Sequence, residues 1–234
     1  MYSKQVLEVL LLLGLTSQAT ATSCVGTPVS VRLPPTLSNP NTGSSWKSTP
    51  VGWDFGYWYQ TNSSSANAFQ RNLQYSTLPV DPSQPTGKRT DLSSFQIVNN
   101  ETVFTSYGED TPTVIPGVYH YQGTGILEQA NDTLEILAWG YDCRGDGYRI
   151  SYSTATEFTK TPASLDVLSR TKKGPDAATL GKIQSALIAL GNAEVTALAK
   201  AIGPALQDSG RDGQAPIQKC DDECKTNKDL LGLF

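Results

Sequence analysis

Histidine is almost missing from this chain: His120 is the single one in 234 residues. Any imidazole chemistry must therefore use that residue, and motifs with two histidines, such as the zinc signature H-E-x-x-H, are excluded. The sequence also has no G-x-S-x-G elbow and no phosphate-binding P-loop, and Gly123-x-Gly125 lacks the third glycine of a dinucleotide fingerprint. No cofactor is implied. Basic charge is scarce as well: 18 Lys plus Arg stand against 22 Asp plus Glu, so 18 − 22 = −4, which leaves no basic face for nucleic acid. Beyond residue 15 no apolar run approaches the roughly 20 residues a membrane-spanning helix needs, so no stable membrane insertion is expected. Cysteine is limited to four residues. Cys220-x-x-x-Cys224 has no second ligand pair beside it, so a closed zinc site is not expected, and Asp142 with Asp146 does not follow a calcium-loop spacing.

What is present points first to a compartment. Lys4 precedes an apolar stretch over residues 6–15 that ends in Ala19-Thr20-Ala21, the pattern of a secretory signal peptide over 1–21. Three sequons, at Asn62, Asn100 and Asn131, and an even number of cysteines agree with a secreted, glycosylated, disulfide-bonded protein. Cys24, Cys143, Cys220 and Cys224 allow three pairings.

Residues 22–50, rich in Ser, Thr, Asn and Pro, read as an extended arm. Over 51–171, short aromatic and β-branched runs alternate with turn signals. Leu73, Tyr75 and Thr77 alternate with Gln74 and Ser76, and Tyr148, Ile150 and Tyr152 with Arg149 and Ser151. Period two with one wet face predicts half-buried antiparallel strands, near 55–62, 70–78, 92–99, 102–107, 117–126, 133–141, 147–155 and 164–170. Eight strands suffice for a barrel. Gly174-Pro175-Asp176 then predicts a helix start, with Gly174 as N-cap, and Leu180, Ile183, Leu187 and Leu190 form one apolar stripe. A shorter helical stretch follows around 194–202, within a helical segment over 172–206, and 207–234 is a polar, cysteine-containing tail.

Three separated segments resemble the motifs of the lipocalins, within the calycin superfamily. Gly56-Tyr57-Trp58-Tyr59 matches the G-x-W-Y of the first strand, Gly140-Tyr141-Asp142 with the run from Tyr148 to Tyr152 is similar to the second motif, and Leu168-Ser169-Arg170-Thr171 resembles the third. The second departs from the usual Thr-Asp-Tyr. The resemblance implies an all-β fold: an eight-stranded antiparallel up-and-down barrel with a C-terminal α-helix packed outside. It further implies that Gly56, Trp58 and Arg170 close one end, the guanidinium stacking on the indole for about 0.5–2 kcal/mol. On the same resemblance Cys143 lies near the arm, which favours Cys24–Cys143 and Cys220–Cys224, with the crossed pairings still open.

A barrel of this size holds side chains or one small ligand, so the expected function is binding or carrying a small hydrophobic molecule. The drier strand faces nominate Leu73, Tyr75, Phe95, Ile97, Tyr121, Tyr148, Ile150 and Tyr152 as lining. His120 is the one nominated catalytic group, effective only if it points inward. Glu109-Asp110 reads as an acidic pair in a solvated turn or at the cavity mouth, and Arg144-Gly145-Asp146 as a tight hairpin rather than an adhesion signal. Two alternatives remain: an isomerase or cyclase on the same scaffold, and a protein acting through its outer surface. An inward histidine, or an inward acid beside a tyrosine, would favour chemistry; a filled barrel would favour the outer surface.

Overall fold

The computed structural model describes residues 29–38, 46–65 and 69–233. The segment read as a signal peptide and Cys24 lie outside them. Eight strands follow in order: β1 Gly56–Ser63, β2 Gln70–Thr77, β3 Arg89–Ile97, β4 Val103–Pro112, β5 Val118–Gly123, β6 Asn131–Tyr141, β7 Gly147–Ser153 and β8 Ser164–Ser169. Each pairs antiparallel with the next, and β1 pairs with both β2 and β8, so the sheet closes into an up-and-down barrel.

The helical segment forms two helices, α1 Ala177–Ala189 and α2 Ala193–Ala201. The expected N-cap moves by two residues: the Asp176 carboxylate accepts from the Ala178 and Thr179 amides, both at 3.0 Å, which glycine could not do. Ile183, Leu187, Val195 and Ala199 are fully buried and pack on the outer face of β6, β7 and β8, against Leu137, Tyr148, Ile150, Tyr152, Leu165 and Val167. Two strands run further than expected, β3 starting at Arg89 and β4 reaching Pro112. Both added ends carry charge, which a strand ordinarily leaves outside, so periodicity in the sequence stops short of them.

One end of the barrel is closed. Trp58 is fully buried there, its indole N–H donating to the Asp54 carbonyl at 2.8 Å, and the Arg170 guanidinium lies 3.6 Å from its ring centroid. Arg170 also donates to the carbonyls of Tyr57, Trp53 and Phe55 at 2.7–2.9 Å. Gly56 carries φ +92°, a backbone state that L side chains rarely adopt, just where the chain turns under Arg170.

The tail is structural. After a two-residue strand, β9 Gly203–Pro204, paired with β1, it wraps the outer wall. Arg211 donates to the Asn72 and Ser94 carbonyls, and Asp208 accepts from Arg71 at 2.9 Å. Between β4 and the β5–β6 connection the wall has a gap, because β5 pairs with β4 only from Gly108 onward. Asn227 fills it: its amide donates to the carbonyls of Tyr107 (2.9 Å) and Thr124 (2.8 Å), and its oxygen accepts from the Tyr107 amide at 2.7 Å. Asp229 accepts from the Thr105 amide at 2.8 Å. Cys220 and Cys224 are joined by a disulfide. Cys143 is disulfide-bonded too, and its expected partner Cys24 lies outside the described residues.

Candidate ligand-binding site

Strand register decides which side chains face inward. Trp58 stands opposite Tyr75, Tyr75 opposite Ser93, and Ser93 opposite Ser106, which carries the inner face from β1 to β4. On the same face Asp91 pairs with Gly108, Phe95 with Phe104, Asp110 with Tyr121, and Tyr121 with Asp132. On β7 and β8 the outer residues are those packed under the helices, so Arg149, Ser151, Asp166 and Leu168 point inward.

Of the nominated lining residues, Leu73, Tyr75, Phe95, Ile97 and Tyr121 fall on the inner face. With Phe104, Leu127, Ala130 and Leu230 they form an apolar cluster toward the end where the β3–β4 and β5–β6 connections lie. Tyr148, Ile150 and Tyr152 do not. They sit beneath α1 and α2, and the Tyr152 hydroxyl donates to Glu194 on α2 at 2.7 Å. The dry face of β7 is dry because helices cover it from outside, and its wet-looking face, Arg149 and Ser151, is the interior. His120 is exposed on the outer face of β5, 3.4 Å from the Thr133 hydroxyl, and so faces away from the interior. Of the sequons, Asn100 and Asn131 are exposed, whereas Asn62 is half-buried between β8 and β9.

Below the apolar cluster the interior is strongly polar. At the closed end Arg89 is clamped between Asp54 and Asp110, with 2.9 Å to Asp110 from both Nε and Nη2, and its guanidinium lies 3.4 Å from the Tyr119 ring centroid. Burial disfavours that charge, but Asp110, Tyr119 and Asp54 outweigh it and hold Arg89 above its ordinary value. Asp110, expected in a solvated turn or at the mouth, is fully buried at the floor; only Glu109 looks outward, 3.5 Å from Lys88. A cleft of about 180 Å³ under the closed end, bounded by the arm and the β4–β5 turn, reaches Asp54, Arg89 and Tyr119 from below.

Higher in the barrel Asp166 accepts from Gln60 at 2.8 Å and from Ser164 at 3.2 Å, and Asp132 accepts from Thr156 at 3.3 Å. Five inward carboxylates, Asp54, Asp91, Asp110, Asp132 and Asp166, thus meet two guanidiniums, Arg89 and Arg149: a formal 2 − 5 = −3 among the described residues. Burial, then the charge of Asp110, pushes the Asp91 carboxyl up to about 8 and that of Asp132 up to about 7. Burial and neighbouring aspartates likewise raise the phenols of Tyr75 and Tyr121.

Asp91, Tyr75, Tyr121 and Asp132 face the barrel interior, and each keeps some accessible surface there. Several buried polar atoms here have no hydrogen-bond partner among the described residues: Ser151 Oγ, Asp110 Oδ1 and Arg149 Nε, although Arg149 also stands 3.7 Å from Asp54. Such atoms cost about 1–3 kcal/mol each when left dry, so they mark positions where water or a ligand belongs. Glycine makes room for this arrangement. A Cβ on Gly108 would run into the Tyr121 ring, which lies over that glycine between β3 and β5. Arg89, Asp91, Asp132, Arg149 and Asp166 were missed from sequence and Asp110 was assigned to a solvated turn or the mouth; for Arg89, Asp91, Asp110 and Asp132 a signal exists, because each keeps the inward parity of its strand once β3, β4 and β6 are extended.

No family model matches the chain. Over 213 residues it is 29% identical to "Botcinic acid biosynthesis cluster B protein 12" of Botryotinia fuckeliana, covering 88% of this chain and 95% of that protein. Among solved structures it is similar to the cockroach allergen Per a 4 (TM-score 0.46, 15% identity, 70% of this chain and 95% of the other). Others are the siderocalin Ex-FABP (0.45, 10%, 66% and 94%) and the amine-binding protein of Rhodnius prolixus in its tryptamine complex (0.44, 15%, 82% and 96%).

Proposed function

We propose that this protein is secreted and binds one small amphipathic molecule inside its barrel. The observation that carries the reading is a barrel interior of two unlike halves whose inward residues keep some accessible surface. Leu73, Phe95, Ile97 and Phe104 offer an apolar wall toward one end, and Tyr75, Tyr121, Asp91 and Asp132 offer donors and acceptors below it. A purely hydrophobic ligand would offer nothing to Ser151 Oγ, Asp110 Oδ1 and Arg149 Nε, so we take the ligand to carry oxygen or nitrogen at its buried end. The disulfides support an oxidising compartment. The name of the Botryotinia relative concerns the biosynthesis of botcinic acid, and by that likeness we take the ligand to be a small product or intermediate of biosynthesis.

The test is native mass spectrometry of protein exported by its own source, followed by denaturation and extraction. A single released compound with an apolar body and a polar end is expected, and Tyr75→Phe combined with Leu73→Arg should abolish its retention. A protein that emerges empty, and takes up nothing from extracts of that source, would overturn the reading.

A further inference from the structure

Asp110 and Asp54 are ion-paired with Arg89, Asp54 also stands near Arg149, and Asp166 is held by Gln60 and Ser164, but Asp91 and Asp132 carry no ion pair among the described residues. Both face the barrel interior. Tyr121 stands between them, paired with Asp132 across the β5–β6 ladder, its ring over Gly108, the ladder partner of Asp91. The Ser151 hydroxyl, 1% exposed, lies on the inward face of β7 and Asp110 Oδ1 on that of β4, both without a hydrogen-bond partner among the described residues. Two unneutralised carboxyls, a phenol and unpaired polar atoms in one barrel interior are more than a container for an apolar molecule requires.

We propose that Asp91, Tyr121 and Asp132 form a proton-transfer site that isomerises a bound carbonyl compound with an acidic C–H next to the carbonyl. The inference rests on the binding reading above and adds a reaction to it. The Asp132 carboxylate removes the proton from carbon, and the C–H electron pair becomes the carbon–carbon double bond of an enol. The carbonyl π pair meanwhile takes the proton that the Asp91 carboxyl donates to oxygen. In the second half the enol oxygen returns its proton to Asp91, and carbon takes one from Asp132, on the other face or at the far end of a conjugated system. Both acids finish as they began, and no co-reactant is consumed. Near neutral pH Asp132, at about 7, is substantially ionised while Asp91, at about 8, is mostly protonated, which is the pairing of roles the step needs. The groups that set this balance are Tyr75 on β2, Arg89 on β3, Asp110 on β4, Tyr121 on β5, Arg149 on β7 and Asp166 on β8.

The probe is 5-nitrobenzisoxazole, a flat apolar carbon acid. A base takes its ring C–H proton, that electron pair completes a nitrile, the N–O bond breaks, and the oxygen leaves as a coloured nitrophenolate. Equilibrium dialysis measures probe uptake separately from turnover. Wild type should bind the probe and turn it over with kcat/KM rising through about pH 7, as Asp132 ionises. Asp132→Asn should keep uptake and lose at least about tenfold in kcat/KM, and His120→Ala should change neither. Uptake with unchanged turnover in Asp132→Asn would overturn the proton-transfer site and leave the binding reading standing; no uptake by wild type would overturn both. If Asp132→Asn does not fold, the wild-type profile decides, and a rate independent of pH between 6 and 8.5 overturns the proposal.

Discussion

Replacing Asp91 and Asp132 together by asparagine should flatten the pH dependence of stability. In the unfolded chain an aspartate titrates near about 3.9. In the barrel burial comes first, and Asp110 second, in pushing Asp91 up to about 8 and Asp132 up to about 7. Between the unfolded and folded values the native state therefore binds more protons than the unfolded one, and stability falls as pH rises. The contribution is fully present below the unfolded value and is lost as pH climbs through 7 and 8. Each group alone gives a slope of about 1.4 kcal/mol per pH unit inside that window. From pH 5 to pH 7 wild type should thus lose about 2–5 kcal/mol, the lower figure applying because the two sites interact and both keep contact with water. Urea unfolding at pH 5, 6 and 7, followed by tryptophan fluorescence, measures it. The double variant should be nearly level across that range and more stable than wild type at pH 7. Parallel curves for the two proteins would refute the buried, unneutralised state of these acids.

Trp58→Ala empties the most buried aromatic site and strips Arg170 of its stacking partner, so a loss of about 3–5 kcal/mol is expected in thermal unfolding, whereas His120→Ala, on the exposed face of β5, should stay within about 0.5 kcal/mol. Asn227→Ala removes the bonds that seal β4, which should cost about 1–3 kcal/mol and expose the Tyr107 amide to rapid hydrogen exchange. Tyr152→Phe should lower stability by about 1–3 kcal/mol through the lost bond to Glu194 without altering ligand uptake, while Tyr75→Phe should do the opposite; equal effects of the two on uptake would contradict the assignment of faces.

Strand count, barrel class and the stripe of the first helix were legible because they depend on periodicity, which a single chain displays. The facing of β7 was not. Alternation separates the two sides of a strand but does not name them, and the choice of the apolar side as interior assumed that water covers the outside. Helices α1 and α2 cover it instead, which turns Tyr148, Ile150 and Tyr152 outward and Arg149 inward. Asp91 escaped notice and Asp110 was assigned to a solvated turn or the mouth for a related reason: charge near a turn reads as solvated, and only the extended β3–β4 ladder reveals both as inward residues. The role of the tail was hidden because its contacts, such as Asn227 to Tyr107, span 120 positions and use polar side chains that leave no hydrophobic pattern.

The seal made by Asn227 and Asp229 also bears on how the chain avoids sticking to itself. Until those residues dock, β4 offers the free amides of Thr105 and Tyr107 along an unpaired edge, close to Phe104 and Ile97. Such an edge is a template for a neighbouring strand, and it is built by the local β3–β4 pairing, whereas its cover depends on contacts more than 100 residues apart in sequence. The tail therefore acts as an edge guard, and the interval before it docks is when crowding is most hazardous. Recombinant material lacking the tail should be lost to aggregation at concentrations the full chain tolerates.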